Sequence, residues 1–381
     1  MTLHFLNRIS GNLQRVSLVV VGTIALGLGS CATTAPPRNS ESSDPTDADV
    51  VASSDDPLQV VTTFLPMTQF TTAVAGDRAA ITQLLPTNVG PHNYQAKPGD
   101  AQAIATADVL VQNGLEMEFF LDDMIENAEN VDLMIIDSSE GIATLEIDEH
   151  GHDHDHDHAE GEAHDHDHAE GEDHDHAGHG HHHGEFDPHV WIDPKRAIEQ
   201  VKNIRDGLIT ADPEGEAEYT ANAEAFIAKL EALDAEITDM LAPFAGQTFV
   251  VFHDFASYFA DSYGLQSETL VGIPEENPSP EDVKRLMETV QAEGLKTILT
   301  EPQAGKASFE AIANDLNINV SVFDPIETGS SEAVQPDYYL TIMRQNAKNL
   351  VASFEASEQA GLPLWMPQPV AVVPQQIGLG L

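Results

Sequence analysis

The sequence is poor in basic residues. It has 16 Lys and Arg against 64 Asp and Glu, a formal net charge of −48. Nucleic-acid recognition needs Lys and Arg to bind phosphate groups, so this balance excludes a nucleic-acid partner. The acidic composition instead favours cationic partners.

Cysteine is almost absent as well. The single cysteine, Cys31, excludes an intramolecular disulfide and a zinc site built from several thiolates. Any metal site in this chain must therefore use imidazole or carboxylate ligands.

The one cysteine follows a short apolar segment. Two arginines precede the apolar run at residues 16–28, which has about the length of the apolar part of a signal peptide. Residues 28–31, Leu-Gly-Ser-Cys, resemble a bacterial lipobox, in which cleavage before the cysteine is followed by lipidation of its thiol. We therefore expect residues 1–30 to be a lipoprotein signal peptide and Cys31 to carry a lipid anchor. An ordinary secretory signal cut near Ala32 is the alternative, and either cleavage exports the protein to the periplasm.

Long apolar runs and common hydrolase motifs are also missing. No other segment reaches the roughly 18 apolar residues of a membrane-spanning helix, so the chain is not expected to span the membrane. His-Glu-x-x-His, Gly-x-Ser-x-Gly and Walker A patterns do not occur.

Histidine, in contrast, is concentrated in one tract. Fourteen of the 18 histidines lie between residues 150 and 183, interleaved with Asp and Glu. Without large apolar residues the tract cannot offset the entropy of ordering, so we expect a mobile loop that binds zinc, nickel, copper or cobalt as an auxiliary metal site. A solvated polar insert and a purification tag are the alternatives. The tract histidines are His150, His152, His154, His156, His158, His164, His166, His168, His174, His176, His179, His181, His182 and His183.

Strand-like and helical segments alternate in two separate blocks of the chain. Such alternation predicts an α/β fold with parallel sheets, here two (β/α) lobes, each with its own core. A helix is expected at 117–127, before the fourth strand. We predict a tether at 31–57, an N-terminal lobe at 58–212 with a His-rich loop at 149–185, a linking helix at 213–243, a C-terminal lobe at 244–356 and a tail of unknown role at 357–381.

The linking helix has an apolar stripe at helical spacing, from Tyr219 to Leu241. Its length of about 40 Å, at 1.5 Å per residue, exceeds what one small domain needs. We therefore expect it to cross from one lobe to the other.

Four possible metal ligands follow strands: His92, His189, His253 and Asp324. The carboxyl ends of parallel strands are where open α/β sheets bind ligands, so lobes that face each other would bring these side chains together. Three imidazoles and one carboxylate suit tetrahedral Zn²⁺. Each histidine alone could be a structural residue, and Asp324 could be a turn residue before proline.

These residues lie in four motifs that resemble a known family. Residues 91–100 (Pro-His-Asn-Tyr-Gln-Ala-Lys-Pro-Gly-Asp), 187–194 (Asp-Pro-His-Val-Trp-Ile-Asp-Pro), 253–259 (His-Asp-Phe-Ala-Ser-Tyr-Phe) and 323–325 (Phe-Asp-Pro) resemble the metal-binding solute-binding proteins of bacterial ABC transporters. The His-rich insertion makes the chain similar to the zinc-uptake members. The resemblance covers about residues 58–357.

The resemblance implies a monomeric protein that captures Zn²⁺ and passes it to a membrane permease and its ATPase. It implies that His92, His189 and His253 bind zinc and that Asp324 matches the family's fourth, carboxylate position. Some zinc-binding relatives carry a Glu directly before the first histidine; Pro91 excludes that ligand here. Manganese-type relatives carry a carboxylate in place of His253, and the imidazole favours zinc.

Asp187, Asp193, Glu301 and Asp254 are candidates to orient the histidines, or are caps and turn residues. The competing functions are a zinc hydrolase with a three-histidine site, and a passive His-rich metal buffer or adhesin. We expect the chain not to be an enzyme.

Overall fold

The computed structural model describes residues 57–92, 94–147, 185–272, 278–303 and 306–361. All of them belong to one compact unit of the chain. The expected signal peptide, the lipid anchor at Cys31, the tether up to Asp56, the fourteen tract histidines and the tail beyond Gly361 lie outside these residues.

The N-terminal lobe is a parallel four-stranded sheet with the strand order β2-β1-β3-β4. Helix α4 packs against β4 and β3, and begins at a proline behind an Asp193 side chain that accepts a hydrogen bond from Lys195 N. The elements are β1 Leu58–Thr62, α1 Leu65–Ala75, β2 Ala79–Gln83, α2 Pro98–Ala105, β3 Val109–Gln112, α3 Leu121–Ala128, β4 Met134–Asp137 and α4 Pro194–Ala211.

The C-terminal lobe is built from the parallel strand pairs β5–β6 and β7–β8, and β5 also contacts β7. Helix α9 continues to Gly361, so it takes in residues 357–361 of the segment expected to be tail. The elements are β5 Thr248–Val251, α6 Ser257–Tyr263, β6 Gln266–Thr269, α7 Pro280–Ala292, β7 Thr297–Thr300, α8 Lys306–Leu316, β8 Asn319–Val322 and α9 Pro336–Gly361.

Helix α5, Glu216–Leu241, joins the two lobes. It packs against α1 and α4 of the N-terminal lobe and against α6 and α9 of the C-terminal lobe. The expected fold class, two (β/α) lobes with parallel sheets joined by one long helix, is confirmed.

The lobes share a core, which the sequence analysis did not expect. One apolar cluster runs from β1 and β3 through α5 to β5 and α9, and a second lies around α7 and α8. At the junction Trp191 packs edge-on against Phe64 at 5.0 Å, and its indole N–H donates to the carbonyl of Pro325 at 2.8 Å. The Tyr339 hydroxyl donates to the Trp191 carbonyl at 2.7 Å, so both lobes hold this tryptophan.

The helix expected at 117–127 begins only at Leu121. Leu115 and Glu116 have φ angles of 54° and 58°, so the chain makes a left-handed turn there. The buried Glu118 carboxylate holds the turn by accepting hydrogen bonds from the amides of Asn113 (2.8 Å) and Gly114 (3.2 Å). Helical periodicity does not reveal such a side-chain anchor.

The His-rich loop leaves and re-enters the fold at a short antiparallel pairing. Glu146 forms a bridge with Phe186, and the amide of Asp187 donates to the carbonyl of Leu145 at 2.9 Å. Residues 145–147 and 185–187, here named the root pairing, therefore bring the two ends of the insertion together. Within the part of the chain that the structure describes, none of the helices combines the length and the apolar character that crossing a bilayer requires.

Candidate metal centre

Three of the expected residues meet at one point between the lobes. His92 comes from the loop after β2, His189 from the segment between the root pairing and α4, and His253 from the loop after β5. Their side chains are 6%, 0% and 0% exposed. They form one group with the buried Glu327, which follows β8, so each lobe contributes two side chains.

The four ligand atoms are spaced as a zinc tetrahedron requires. The Nε2 atoms of His92 and His189 are 3.1 Å apart. Oε1 of Glu327 lies 3.2 Å from Nε2 of His92 and 3.5 Å from Nε2 of both His189 and His253. Ligands at about 2.0–2.1 Å from a tetrahedral ion are roughly 3.3 Å from one another. Four of the six spacings among the ligand atoms are therefore those of a zinc site, and all four atoms lie within 4.8 Å of one another.

Glu327, not Asp324, stands with the histidines. Asp324 Oδ1 accepts a hydrogen bond from the amide of Ile326 at 2.8 Å, and its own amide donates to Asn346 at 2.9 Å. This Asx turn and the positive φ of Ile326 (63°) reverse the chain and direct Glu327 to the centre. The structure therefore places Glu327 in the group where Asp324 was expected, and Asp324 makes the contacts of a turn residue.

The sequence contained one signal that pointed away from Asp324. Asp before proline is a common turn former, and its side chain then accepts a hydrogen bond from a backbone amide within the turn. The next carboxylate in the same loop is Glu327, which sequence reasoning missed because side-chain direction after a turn depends on backbone angles.

Two buried carboxylates orient two of the histidines. Asp187 Oδ1 accepts from both the Nδ1–H (2.7 Å) and the amide of His189 (2.9 Å). Glu301 Oε1 accepts in the same way from Nδ1–H (2.7 Å) and the amide of His253 (3.0 Å). Because Nδ1 carries the proton in each neutral ring, the Nε2 lone pairs point to the centre.

The other two orienting candidates have different partners. Asp193 caps α4 and accepts from Arg196 (2.8 Å) and Ser262 (2.7 Å). Asp254 accepts from the Ser257 hydroxyl at 2.9 Å.

The pKa shifts of the three histidines and Glu327 indicate that a positive charge is stable between them. Burial lowers the pKa of His253, but Glu301 and Glu327 outweigh it and hold that pKa well above its usual value. The pKa of His189 is raised by Asp187 and Glu327 in the same way, against burial, while burial lowers the pKa of His92. Burial raises the pKa of Glu327, yet the three histidines hold it well below its usual value. Four lone-pair donors converge here, and either protons or a metal ion must lie between them.

Two α/β lobes that hold an ion-binding group between them define a solute-binding protein. The chain belongs to the ZnuA family, the periplasmic component A of the zinc-uptake complex, whose model matches residues 60–353. The resemblance drawn from the four motifs is thereby confirmed.

Known relatives support this assignment. The zinc-binding lipoprotein AdcA of Streptococcus pneumoniae serotype 4 (strain ATCC BAA-334 / TIGR4) is 29% identical over 298 residues, 78% of this chain and 56% of AdcA. The manganese-binding lipoprotein MntA of Halalkalibacterium halodurans is 27% identical over 301 residues, 77% of this chain and 88% of MntA. The chain thus spans little more than half of AdcA.

The fold agrees with a solved structure of the matching part of AdcA. The Zn(II)-bound ZnuA-like domain of S. pneumoniae AdcA superposes with a TM-score of 0.61 at 27% identity. The match covers 78% of this chain and 99% of that domain.

Proposed function

We propose that the protein is the zinc-binding component of an ABC-type uptake system. It captures Zn²⁺ outside the cytoplasmic membrane and delivers it to a permease that its ATPase drives. The observation that supports this function is the buried group formed by His92, His189, His253 and Glu327, in which Glu327 lies 3.2–3.5 Å from all three histidine Nε2 atoms.

The donor set favours zinc over manganese as the cargo. Three imidazoles and one carboxylate suit zinc, whereas manganese prefers carboxylate, carbonyl and water oxygens. Although MntA is named for manganese and AdcA for zinc, the choice for this chain rests on His253, whose imidazole supplies the third nitrogen.

The same group supports a binding role over hydrolysis. Catalytic zinc sites keep an open position for water, whereas Glu327 fills the fourth position here. We therefore assign the protein no catalytic step.

The His-rich tract serves this function as an accessory that gathers zinc near the site, and the lipid on Cys31 keeps the protein at the membrane. Deleting residues 150–183 should leave one tight zinc site. Loss of all tight binding on that deletion would contradict the separate roles of the tract and the cleft.

Zinc titration calorimetry tests the assignment. The wild-type chain is compared with a His92→Ala, His189→Ala double variant that keeps the tract. We expect the variant to lose a single tight phase and to keep a weaker phase of several ions. A variant that keeps the tight phase would identify the histidines as structural and the protein as a metal buffer.

Uptake in cells separates delivery from buffering. The same double variant is expected to abolish zinc-dependent growth of a strain that relies on this protein at low zinc. Normal growth of that strain would favour a passive buffer or adhesin.

A further inference from the structure

The Tyr258 hydroxyl joins three chain segments beside the metal centre. Tyr258 lies on α6 of the C-terminal lobe and is fully buried. Its hydroxyl donates to the carbonyl of Asp187 at 2.6 Å and accepts from the amide of Leu145 at 3.2 Å. Both partners belong to the root pairing of the N-terminal lobe.

This hydrogen bond reaches a metal-ligating side chain through a single residue. The carbonyl of Asp187 accepts the hydrogen bond from Tyr258. The carboxylate of Asp187 accepts hydrogen bonds from the Nδ1–H and the amide of His189. Tyr258 itself follows His253 by five residues in the same segment. One hydroxyl therefore links the loops that carry His189 and His253.

The surroundings fix the direction of the hydroxyl. The ring packs with Ile142 and Val190 in a small apolar cluster, and Leu115 of the left-handed turn packs against that cluster. The guanidinium of Arg196 lies 4.5 Å from the ring centroid. A side chain held on several sides keeps its hydroxyl in one place, as a positioning residue requires.

We propose that Tyr258 is a positioning residue for the metal centre: its hydroxyl sets the placement of His189 relative to His253 by tying the root pairing to α6. This inference rests on the proposed function, since it concerns the geometry of the bound ion. The root of the His-rich insertion is thereby part of the support of the cleft.

The matched variants are Tyr258→Phe and Tyr263→Phe. Both remove the hydroxyl of a buried tyrosine on α6, but the Tyr263 hydroxyl donates to Asp234 at 3.0 Å and not to the root pairing. They are introduced into the full-length chain with all fourteen tract histidines replaced by serine, here named the tract-substituted chain, so that only the cleft binds metal.

Two readouts separate positioning from general stability. Zinc affinity, measured by competition with a chelator, should fall 10- to 100-fold in Tyr258→Phe and stay within about threefold in Tyr263→Phe, as is typical for groups behind a metal ligand. The visible absorption of the Co²⁺-loaded protein at saturating Co²⁺ should change in band position or intensity only in Tyr258→Phe, because it reports the ligand geometry.

The outcomes are distinct. A Tyr258→Phe variant with lowered melting temperature but unchanged zinc affinity and Co²⁺ spectrum would overturn the proposal and leave the residue a structural one. Equal changes in both variants would overturn it as well. If the parent chain bound neither zinc nor Co²⁺ tightly, the proposed function itself would fail.

Discussion

Two carboxylates three residues apart in one loop have different partners. Asp324 closes a turn by accepting from the amide of Ile326, and Glu327 lies among the three histidines. Burial, with the neighbouring Glu327 and Glu301, raises the pKa of Asp324 to about 6, whereas the histidines hold the pKa of Glu327 well below its usual value. Their partners, and not their residue type, decide their roles.

Replacing each carboxylate by its amide tests this difference. In the tract-substituted chain, Glu327→Gln should weaken zinc binding by roughly 100-fold or more, because the ion loses its one anionic ligand. Asp324→Asn keeps the oxygen that accepts from Ile326 and should stay within about threefold. Chelator competition measures both. Equal losses would show that Asp324 also contributes to the metal centre.

Zinc binding should release protons at pH 7. The pKa values of His189 and His253 are raised in the metal-free protein, and that of His253 lies well above its usual value, which favours the protonated ring before zinc binds. Zinc binds the unprotonated Nε2. The zinc affinity should therefore rise with pH until the pH exceeds the raised pKa of His253. Calorimetry of the tract-substituted chain in buffers of different ionisation enthalpy should give about one proton or more per zinc.

Removing the cause of the raised pKa supplies the control. Glu301→Gln takes away the carboxylate nearest to His253 and should reduce the number of protons released. Binding heats that do not depend on the buffer in the parent chain would contradict the protonated state of the metal-free site.

Some of the residues of the metal centre could be predicted from the sequence. Isolated histidines after strands are visible in a sequence because the carboxyl ends of parallel strands lie on one edge, and the structure brings His92, His189 and His253 together there. Glu327 was not predictable, because its direction follows from the backbone angles of the preceding turn.

Close contact between α4 and β4 explains why glycine occupies position 207. A Cβ at Gly207 of α4 would overlap the Ile136 side chain of β4, while a Cβ at Gly99 of α2 would meet nothing within 4 Å. Gly207 is thus needed for packing, and Gly99 is not.

The two glycines should respond to alanine with opposite signs. Alanine favours a helix over glycine by about 1 kcal/mol, so Gly99→Ala should raise the free energy of unfolding by up to that amount. Gly207→Ala should lower it by about 1–3 kcal/mol despite the same gain, because overpacking dominates. Urea denaturation measures both, and stabilisation by Gly207→Ala would mean that α4 can move away from β4.

Most strands and helices followed from periodicity, and the exceptions have local causes. The segment before α3 contains apolar residues at helical spacing, but its left-handed turn depends on the buried Glu118 carboxylate and its amide partners. These hydrogen bonds join a side chain to backbone amides four and five residues earlier, and the spacing of apolar residues gives no sign of them.

The shared core makes the two lobes one folding unit. Trp191 contacts Phe64 in its own lobe and hydrogen bonds to Pro325 and Tyr339 of the other. The sequence suggested separate cores because the spacing of apolar residues shows which face of a helix or strand is buried, but not which lobe that face packs against.

Unfolding should therefore be a single transition. In a Trp365→Phe variant Trp191 is the one remaining tryptophan, since the sequence has two. Its fluorescence and the far-ultraviolet circular dichroism should change at the same urea concentration. A fluorescence transition that precedes the loss of helix would mean that the lobes separate before they unfold.

The root pairing has a consequence for how the chain can vary. Residues 145–147 and 185–187 hold the two ends of the insertion together, so the cost of lengthening a flexible insertion there is that of loop closure. Doubling such a loop costs only about 0.6 kcal/mol. Repeats of histidine and aspartate can thus be gained or lost over generations at little cost to the fold, and the proposed zinc-gathering capacity of the tract can change while the cleft stays the same.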